Sequence, residues 1–321
     1  MRLRLVPEAT DINFFRWWQL TFGASVVAVL LSLLVWFAVG LNFGIDFLGG
    51  TTIRTESTAA VDVGAYRAAI GPLGLGDVSI TEVFDPTFEA GRNVAQIRIQ
   101  AQAGAEAVTA ETIAAVEGAL QAVDPSIAFP SVESVGPKVS GELIQTAFLA
   151  VGASLVAILV YIWLRFEWQF SVGAIAALIH DVVLTIGIFS ILQIRFDLAT
   201  IAAILTIIGY SINDTVVIFD RLRENLIKYK KTPLVEVMNR SVNETLSRTI
   251  MTSGTTLIAL LALLILGGDV IRGFVFAIFW GVIVGTYSSV YVAKNVVLML
   301  GVDRDPKAPS DAGTRFADVD A

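Results

Sequence analysis

The chain of 321 residues is 55% hydrophobic and only 16% charged, a composition that is unusual for a soluble domain and typical of an integral membrane protein. It has no cysteine and a single histidine, His180, which excludes disulfide frameworks, iron–sulfur clusters, cysteine nucleophiles and zinc sites built from cysteine and histidine. The formal net charge of -7 has to be counted segment by segment, because the two water-facing sides of a membrane protein differ in charge.

Six apolar runs are long enough to cross a bilayer, since a spanning helix needs about 20 mostly apolar residues. We predict spans at 19–41, 142–164, 170–192, 198–219, 249–267 and 273–293. The first run has no small-residue cleavage pattern behind it, which indicates a retained anchor and not a signal peptide. In the sixth, Gly281 and Gly285 form a G-x-x-x-G pair, a weak signal of close helix packing. The other segments are an N-terminal arm over 1–18, a folded domain over 42–141, a connector over 220–248 and a tail over 294–321 that we expect to be disordered.

The distribution of charge predicts the orientation of the chain. The segment 42–141 has five basic and twelve acidic residues, whereas the rest of the chain is balanced. The connector is basic and has the pattern of an amphipathic helix interrupted near Thr232-Pro233, which favours a lipid-facing anchor over a docking surface for a partner. Because short basic loops stay in the cytoplasm, we predict that both termini are cytoplasmic. The acidic domain is then outside, which in a bacterial inner membrane is the periplasm.

The acidic domain alternates between strand and helix patterns. Strands are predicted at 51–54, 78–83, 94–99 and 127–135, and helices at 62–70 and 106–122. The strand at 94–99 has apolar residues at every second position, as a half-buried strand requires. The order βαββαβ predicts a small ferredoxin-like α+β sandwich. Its carboxylates, among them Glu82, Asp85 and Glu89, are scattered, which favours a solvated acidic face and a binding or mechanical role over a metal or catalytic site.

Asp214 lies within the fourth predicted span, where a carboxylate costs about 2.5–3.5 kcal/mol on insertion scales and persists mainly along a polar pathway or beside a partner. Ser211, Asn213 and Thr215 surround it, and apolar residues continue to Phe219. The alternative is a residue that simply reaches the interface. The polar neighbours favour a proton site.

Two further polar positions lie in predicted spans. His180-Asp181 is near the middle of the third span, where it either lines a polar pathway or is a hydrogen-bonded pair that only joins two helices. Arg248 opens the fifth span and either reaches inward or is a snorkelling anchor at the interface. The hydroxyl residues within 249–256 favour a hydrogen-bonded helix face. If Asp214 faces Arg248, a small change in their separation would load or release a proton.

The spans and their borders also carry a set of short motifs. They are Phe43-Gly44-Ile45-Asp46-Phe47-Leu48-Gly49-Gly50-Thr51, Val135-Gly136-Pro137-Lys138, His180-Asp181-Val182, the run from Gly209 to Arg221, Arg248-Thr249 with Thr252-Ser253, and Gly285-Thr286-Tyr287-Ser288-Ser289. In their order over residues 40–295, these motifs resemble the SecF family of the bacterial Sec protein translocase, within the RND superfamily. The fourth-span motif is highly specific, whereas the acidic domain between the motifs is not.

The resemblance implies a six-span subunit that forms a heterodimer with SecD and assists the SecYEG channel and the SecA motor, with YajC as a further partner. The pair would use the proton motive force to promote late steps in the export of unfolded preproteins across the inner membrane. Protons would be the coupling ion, with no other cofactor and no metal. Membrane lipid would surround the subunit, and nucleic acid would have no part.

The resemblance also assigns residues. It ties proton passage to Asp214 in the fourth span and Arg248 at the start of the fifth. Supporting polar residues within the membrane are then Asn213, His180, Asp181, Ser211, Thr215 and Thr252, and motif residues with a structural role are Asp46, Gly49, Gly50, Gly285 and Thr286.

Competing functions differ in the motifs they need. An intramembrane protease needs a Gly-x-Gly-Asp, Gly-x-Ser-x-Gly or His-Glu-x-x-His motif, and an ATP-driven pump needs a phosphate-binding loop; the sequence has none of these. We therefore predict a transport component and not an enzyme. Two alternatives stay open, namely an RND-type proton-coupled exporter of small molecules or lipids and a non-transducing structural scaffold of the translocon.

Overall fold

The computed structural model describes residues 10–76, 78–85, 88, 91–100 and 108–302, with the backbone alone for Pro137 and Lys138. Residues 1–9 of the predicted arm, Glu89, residues 106–107 of a predicted helix and residues 303–321 of the predicted tail lie outside the described residues. In chain order the elements are α1 (Trp18–Val39), β1 (Asn42–Phe43), α2 (Ile45–Leu48), β2 (Gly50–Ser57), α3 (Val63–Ile70), β3 (Val78–Val83), β4 (Asn93–Gln100), α4 (Ala110–Val123), β5 (Ala128–Val135), α5 (Pro137–Arg165), α6 (Trp168–Leu192), β6 (Arg195–Phe196), α7 (Leu198–Lys228), α8 (Leu234–Leu266), α9 (Asp269–Ser288) and α10 (Lys294–Leu300).

Six of these helical runs are long and apolar enough to cross a membrane. They are α1, α5, α6, α7, α8 and the run Asp269–Leu300, in which five π-helical residues, Ser289–Ala293, join α9 to α10. Their number, length and composition confirm the predicted polytopic α-helical membrane protein. We call the end of the bundle beside the α+β domain the domain end, and the opposite end the far end.

The α+β domain follows the order βαββαβ. Its sheet has the strand order β3-β4-β2-β5, and all three pairings are antiparallel. Helices α3 and α4 cover one face, where Ile53, Ile97 and Leu120 are fully buried. Because Gly50 at the start of β2 pairs with Val135 at the end of β5, the chain enters and leaves the domain at one place.

A second attachment joins the domain to the bundle at its opposite edge. Phe84, just after the edge strand β3, donates its backbone N–H to the Asp269 carboxylate at 2.6 Å, and the Asp269 N–H donates to the Phe84 carbonyl at 3.0 Å. Asp269 is the first residue of α9. The domain is therefore held by its chain connections on one side and by this pair of hydrogen bonds on the other.

Close backbone approach fixes the packing of α9 against α7. A Cβ atom added to Gly281 would lie 2.3 Å from Ile207, and one added to Gly285 would lie 3.0 Å from Ser211. A side chain at Gly187 of α6 would similarly meet Ser32 of α1 at 2.4 Å. Small residues at such crossings allow helices to pack tightly in lipid, where the hydrophobic effect does not drive their association.

At the far end, the structure shows longer helices than the predicted spans. Helix α7 continues to Lys228 and α8 begins at Leu234, so most of the predicted connector over 220–248 is the continuation of two spanning helices. Ion pairs stabilise these extensions, since Arg221 of α7 contacts Glu244 of α8 at 2.6 Å and Glu224 at 2.7 Å. The break predicted near Thr232-Pro233 is the turn between the helices.

The start of the predicted tail is corrected. The sequence analysis places a disordered tail from residue 294, whereas the chain stays helical through Leu300 and Lys294 is only 1% exposed. The Lys294 ammonium lies 3.8 Å from the centre of the Phe15 ring, 5.2 Å from that of Phe14 and 5.5 Å from that of Tyr291. The aromatic rings of the N-terminal arm therefore cover this lysine and make it part of the bundle.

Candidate functional site

Asp214 is buried between α7, α8 and α9. Its side chain is 4% exposed, and its hydrogen bond comes from the Ser253 hydroxyl of α8 at 3.4 Å. Ser253 shares a second, shorter hydrogen bond of 2.8 Å with the Thr286 hydroxyl of α9. One long hydrogen bond is weak compensation for removing a carboxylate from water. The site is therefore well suited to a carboxyl group that gains and loses a proton.

The pairing of Asp214 with Arg248 that the sequence leaves open is not formed among the described residues. Arg248 is exposed on α8, and within the described residues no ion pair joins it to Asp214, although it is near enough for its charge to act on that carboxylate. Thr252 bonds to its own helix, donating to the carbonyl oxygens of Arg248 and Thr249 at 3.0 Å each. The residue that reaches Asp214 is instead Ser253, one position further along the helix.

Asp181 of α6 forms a second buried cluster. Its carboxylate accepts hydrogen bonds from Ser211 of α7 at 2.6 Å and Ser288 of α9 at 2.8 Å, and lies 2.9 Å from Nδ1 of His180. Asp181 is fully buried and His180 is 4% exposed. Three helices are thus joined at one carboxylate, and its acceptor sites are much better satisfied than those of Asp214.

His180 extends this cluster towards α1. Its ring stacks on Tyr287 with centroids 6.1 Å apart, while its Nε2 is buried with no hydrogen-bond partner among the described residues. The Tyr287 hydroxyl donates to the Thr21 carbonyl at 2.9 Å and lies 3.0 Å from the Ser25 hydroxyl. A polar path made of side chains therefore runs from α1 to the centre of the bundle.

The remaining predicted polar residues divide between the interior and the outside of the bundle. Thr215 is buried and donates to the Ser211 carbonyl at 3.3 Å. Asn213 is exposed on the outer surface of α7, away from Asp214. Its position leaves an amide on the outside of a spanning helix.

The motif around Gly49-Gly50, for which a structural role is predicted, lies at the domain end. Gly49 has a φ of 72° and Gly50 a φ of 138°, both in the region that favours glycine, where the chain turns from α2 into β2. Asp46 accepts a 3.1 Å hydrogen bond from the Leu198 N–H, so it serves one of the free donors in the first turn of α7. The motif thus joins the root of the domain to a spanning helix.

Sequence reasoning gave no individual role to Ser253, Ser288 and Tyr287. All three lie in the short motifs named above. Each is a polar residue in an apolar span, which is the feature of the sequence that could have indicated a role. What the sequence lacked was the rotation of each helix, which decides that Ser253 and not Thr252 faces the carboxylate. Among the described residues, no group of three or more histidine, aspartate or glutamate side chains is arranged to hold a metal ion.

Comparison with protein families gives two matches. Residues 115–303 match the model of the protein export membrane protein SecD/SecF, C-terminal, and residues 35–61 match the SecD/SecF GG motif. The second match contains Gly49-Gly50. Together the two models cover more than half of the chain, and residues 62–114 lie between the two matched segments.

Individual relatives agree with the family matches. The chain is 67% identical over 321 residues to the protein translocase subunit SecF of Cereibacter sphaeroides, covering 100% of this chain and 99% of that protein. It is 63% identical over 318 residues to the SecF of Rhodobacter capsulatus, covering 97% and 96% of the two chains.

Solved structures give the same result for the fold. A crystal structure of SecDF, a translocon-associated membrane protein from a Thermus species, matches with a TM-score of 0.81 and 37% identity. SecDF in a super-membrane-facing form matches with a TM-score of 0.69 and 39% identity. These matches cover 94% and 93% of this chain but 40% of each SecDF chain, so the chain spans less than half the length of those proteins.

Proposed function

Because the chain belongs to the SecF subunits of the SecD/SecF protein-export family, we propose that it works with a SecD subunit to couple the proton motive force to late steps of preprotein export. The larger assembly would include the SecYEG channel, SecA and YajC, with unfolded preprotein as the substrate. Protons are the coupling ion in this proposal. The chain itself carries out no covalent chemistry.

The proposed orientation follows from charge. The α+β domain carries the excess of acidic residues, and the far end of α7 and α8 carries a high density of lysine and arginine. The positive-inside rule then favours a cytoplasmic far end and cytoplasmic termini. The ferredoxin-like domain would lie in the periplasm of a bacterium, above the inner membrane.

The proposed pairing with SecD is supported by the outer surface of the bundle. Asn213 is exposed in the middle of α7, and an unsatisfied amide facing lipid is costly. A second polar bundle packed on α7 would satisfy it. The matching SecDF chains are more than twice as long as this chain, which leaves room in them for such a second bundle.

The single observation that carries the coupling proposal is the environment of Asp214. It is a carboxyl group buried in a spanning helix, with one hydrogen bond of 3.4 Å and a nearby arginine that is free to move because it is exposed. Movement of Arg248 towards or away from Asp214 would change the relative stability of the charged and neutral carboxyl group. Such a change links a proton to a helix movement.

The test compares Asp214→Asn with the parent in proteoliposomes that contain the SecD partner, and scores preprotein export with and without a proton gradient. Asp220→Asn is the matched control, because Asp220 lies on the same helix but is half-exposed and pairs with Arg165. We expect Asp214→Asn to reduce export to the level seen without a gradient, while Asp220→Asn keeps the dependence on the gradient.

The result depends on assembly, which is measured by copurification with SecD. If Asp214→Asn assembles and its export still responds to the gradient, the carboxyl group does not couple protons and the chain is a structural scaffold or couples elsewhere. An exporter of small molecules or lipids would instead show gradient-dependent transport of those compounds with no effect of the variant on preproteins.

A further inference from the structure

A large cavity lies between the α+β domain and the domain end of the bundle. Its volume is about 1240 Å³. The open face of the sheet, which α3 and α4 leave uncovered, forms one wall, and β1, α2, β6 and the start of α9 form the other. The proposed proton site does not use this cavity, which is separated from Asp214 by half the length of α7.

The wall formed by the sheet is polar because of strand alternation. Ile53 and Ile97 point into the domain core, so their neighbours Arg54 and Arg98 point to the opposite face and line the cavity. Nε of each arginine is buried with no hydrogen-bond partner among the described residues, and the same holds for the Thr52 hydroxyl. Two arginines and a threonine therefore lie on one wall, and none of these three buried donor atoms has an acceptor among the described residues.

The wall formed by the bundle adds a third arginine. Arg195, between α6 and α7, also lines the cavity, and its Nε is buried with no hydrogen-bond partner in the described part of the chain. Burial, and next the positive charge of Arg195, lower the pKa of Arg98 from its ordinary value. The charges of Asp197 and Asp46 act on Arg98 in the opposite direction but do not cancel this effect, so two like charges lie close together across the gap.

Among the described residues, no carboxylate that lines the cavity forms an ion pair with Arg54 or Arg98, although Asp46 and Asp197 are near enough for their charges to act on Arg98. Asp46 accepts a hydrogen bond from the first turn of α7, and Asp197 caps the same helix by accepting from Thr200. Asp269 accepts from the Phe84 N–H and pairs with Arg272. The closest of them to Arg195 is Asp197, with 3.9 Å between its Oδ2 and Nε of the arginine. Glu82 and Glu133 are exposed on the outer strands, where water solvates them.

The lower part of the cavity is apolar. Phe43, Leu48, Val270 and Phe274 line it, and Val270 is 72% exposed. Val270 and Phe274 lie at the start of α9, and Phe43 and Leu48 lie in the segment between α1 and β2. The cavity therefore combines guanidinium groups on both walls with an apolar surface beside the domain end of the bundle.

We propose that this cavity binds a phosphate-bearing anion through Arg54, Arg98 and Arg195. Guanidinium groups bind phosphate oxygens through paired N–H donors, and no carboxylate among the described residues forms such a paired contact with these three arginines. The headgroup of an anionic phospholipid would place its phosphate among the arginines and its acyl chains along the apolar residues. Free phosphate would use the same arginines without the apolar surface.

The test is native mass spectrometry of the delipidated full chain in detergent, titrated with phosphatidylglycerol, phosphatidylcholine or inorganic phosphate. The variants are Arg98→Gln and Arg195→Gln, and the matched control is Arg92→Gln, which removes an arginine of the same domain that pairs with Glu56 outside the cavity. Arg98→Lys keeps the charge and removes the paired donors. Circular dichroism and thermal melting establish that each variant is folded.

We expect Arg98→Gln and Arg195→Gln to weaken phosphatidylglycerol binding at least tenfold, Arg98→Lys to weaken it less, and Arg92→Gln to leave it unchanged. If inorganic phosphate displaces the lipid, and if Arg98→Gln weakens phosphate binding as much as lipid binding, free phosphate is a sufficient ligand for the site. Lipid binding that inorganic phosphate does not displace would identify the phospholipid as the ligand. Equal binding by the folded glutamine variants and the parent would overturn the proposal, as would phosphatidylcholine binding as tight as that of phosphatidylglycerol.

Discussion

The Ser288 hydroxyl of the last spanning helix donates a 2.8 Å hydrogen bond to the Asp181 carboxylate of the third. Ser211 donates to the same oxygen from the fourth, so one carboxyl group connects three helices. A buried carboxylate with several partners stabilises the arrangement through both of its oxygens, and an amide at this position replaces one of the two acceptors by an NH2 donor.

Replacing Asp181 by asparagine should therefore destabilise the bundle by about 1–3 kcal/mol, which is the usual cost of leaving buried polar groups unsatisfied. The measurement is the apparent melting temperature in detergent, with Asp220→Asn as the exposed control. Ser288→Ala should cause a smaller decrease. A variant that melts with the parent but loses gradient-dependent export would instead assign Asp181 to proton transfer.

The contact of Gly281 with Ile207 predicts a steric effect. Gly281→Ala places a methyl group 2.3 Å from Ile207, so α9 has to move away from α7, and we expect a loss of about 1–3 kcal/mol. Gly254→Ala in α8 is the matched control, because a Cβ there meets nothing within 4 Å. The double variant with Ile207→Ala should recover part of the loss. If Gly281→Ala and Gly254→Ala melt alike, the close approach of the two helices is not present in solution.

Lys294 gives a prediction with opposite signs for two substitutions. Its ammonium is buried without a hydrogen-bond partner among the described residues, which costs several kcal/mol. Attraction to the aromatic rings offsets about 2 kcal/mol of this cost. Lys294→Met keeps the volume and removes the charge, so it should be at least as stable as the parent. Lys294→Ala should lower the melting temperature, since it leaves a cavity. A methionine variant as unstable as the alanine variant would show that the cation–aromatic contacts dominate.

The hydrogen bonds between Asp269 and Phe84 predict a local effect on the domain. Asp269→Ala removes the acceptor of the Phe84 N–H, so the amides of residues 78–85 should exchange hydrogen faster than in the parent. The protection of β2 and β5 should stay unchanged, because their ladder does not involve Asp269. If these amides exchange equally fast in Asp269→Ala and in the parent, this contact does not stabilise the edge of the domain.

Periodic patterns predicted much of the fold. The strand predicted at 78–83 has those bounds in the structure, and the helix predicted at 62–70 is observed at Val63–Ile70. The ends of the spanning helices were harder to predict, because hydropathy shows where the apolar residues end and not where the helix ends. At Lys228 and Leu234 the charged helical turns are stabilised by pairs such as Arg221 with Glu244, which join residues of different helices.

The candidate site was predictable at the level of residue type. Asp214 and Asp181 stand out because a carboxylate in an apolar run is rare, and both are buried in the structure. Their surroundings were not predictable. Successive residues of a helix are rotated by about 100°, so Thr252 and Ser253 face different neighbours. Only the packing of three helices shows which hydroxyl donates a hydrogen bond to which carboxylate.

The two attachments of the α+β domain differ in strength. Where Gly50 pairs with Val135, two covalent connections and a full strand ladder lie side by side, whereas Phe84 is held to Asp269 by two hydrogen bonds at the other edge of the sheet. A tilt of the domain as a rigid body about the β2–β5 root would have to break those two bonds and part Asp85 from Gly268. The tilt would widen the gap under the sheet and leave both the domain core and the spanning helices intact.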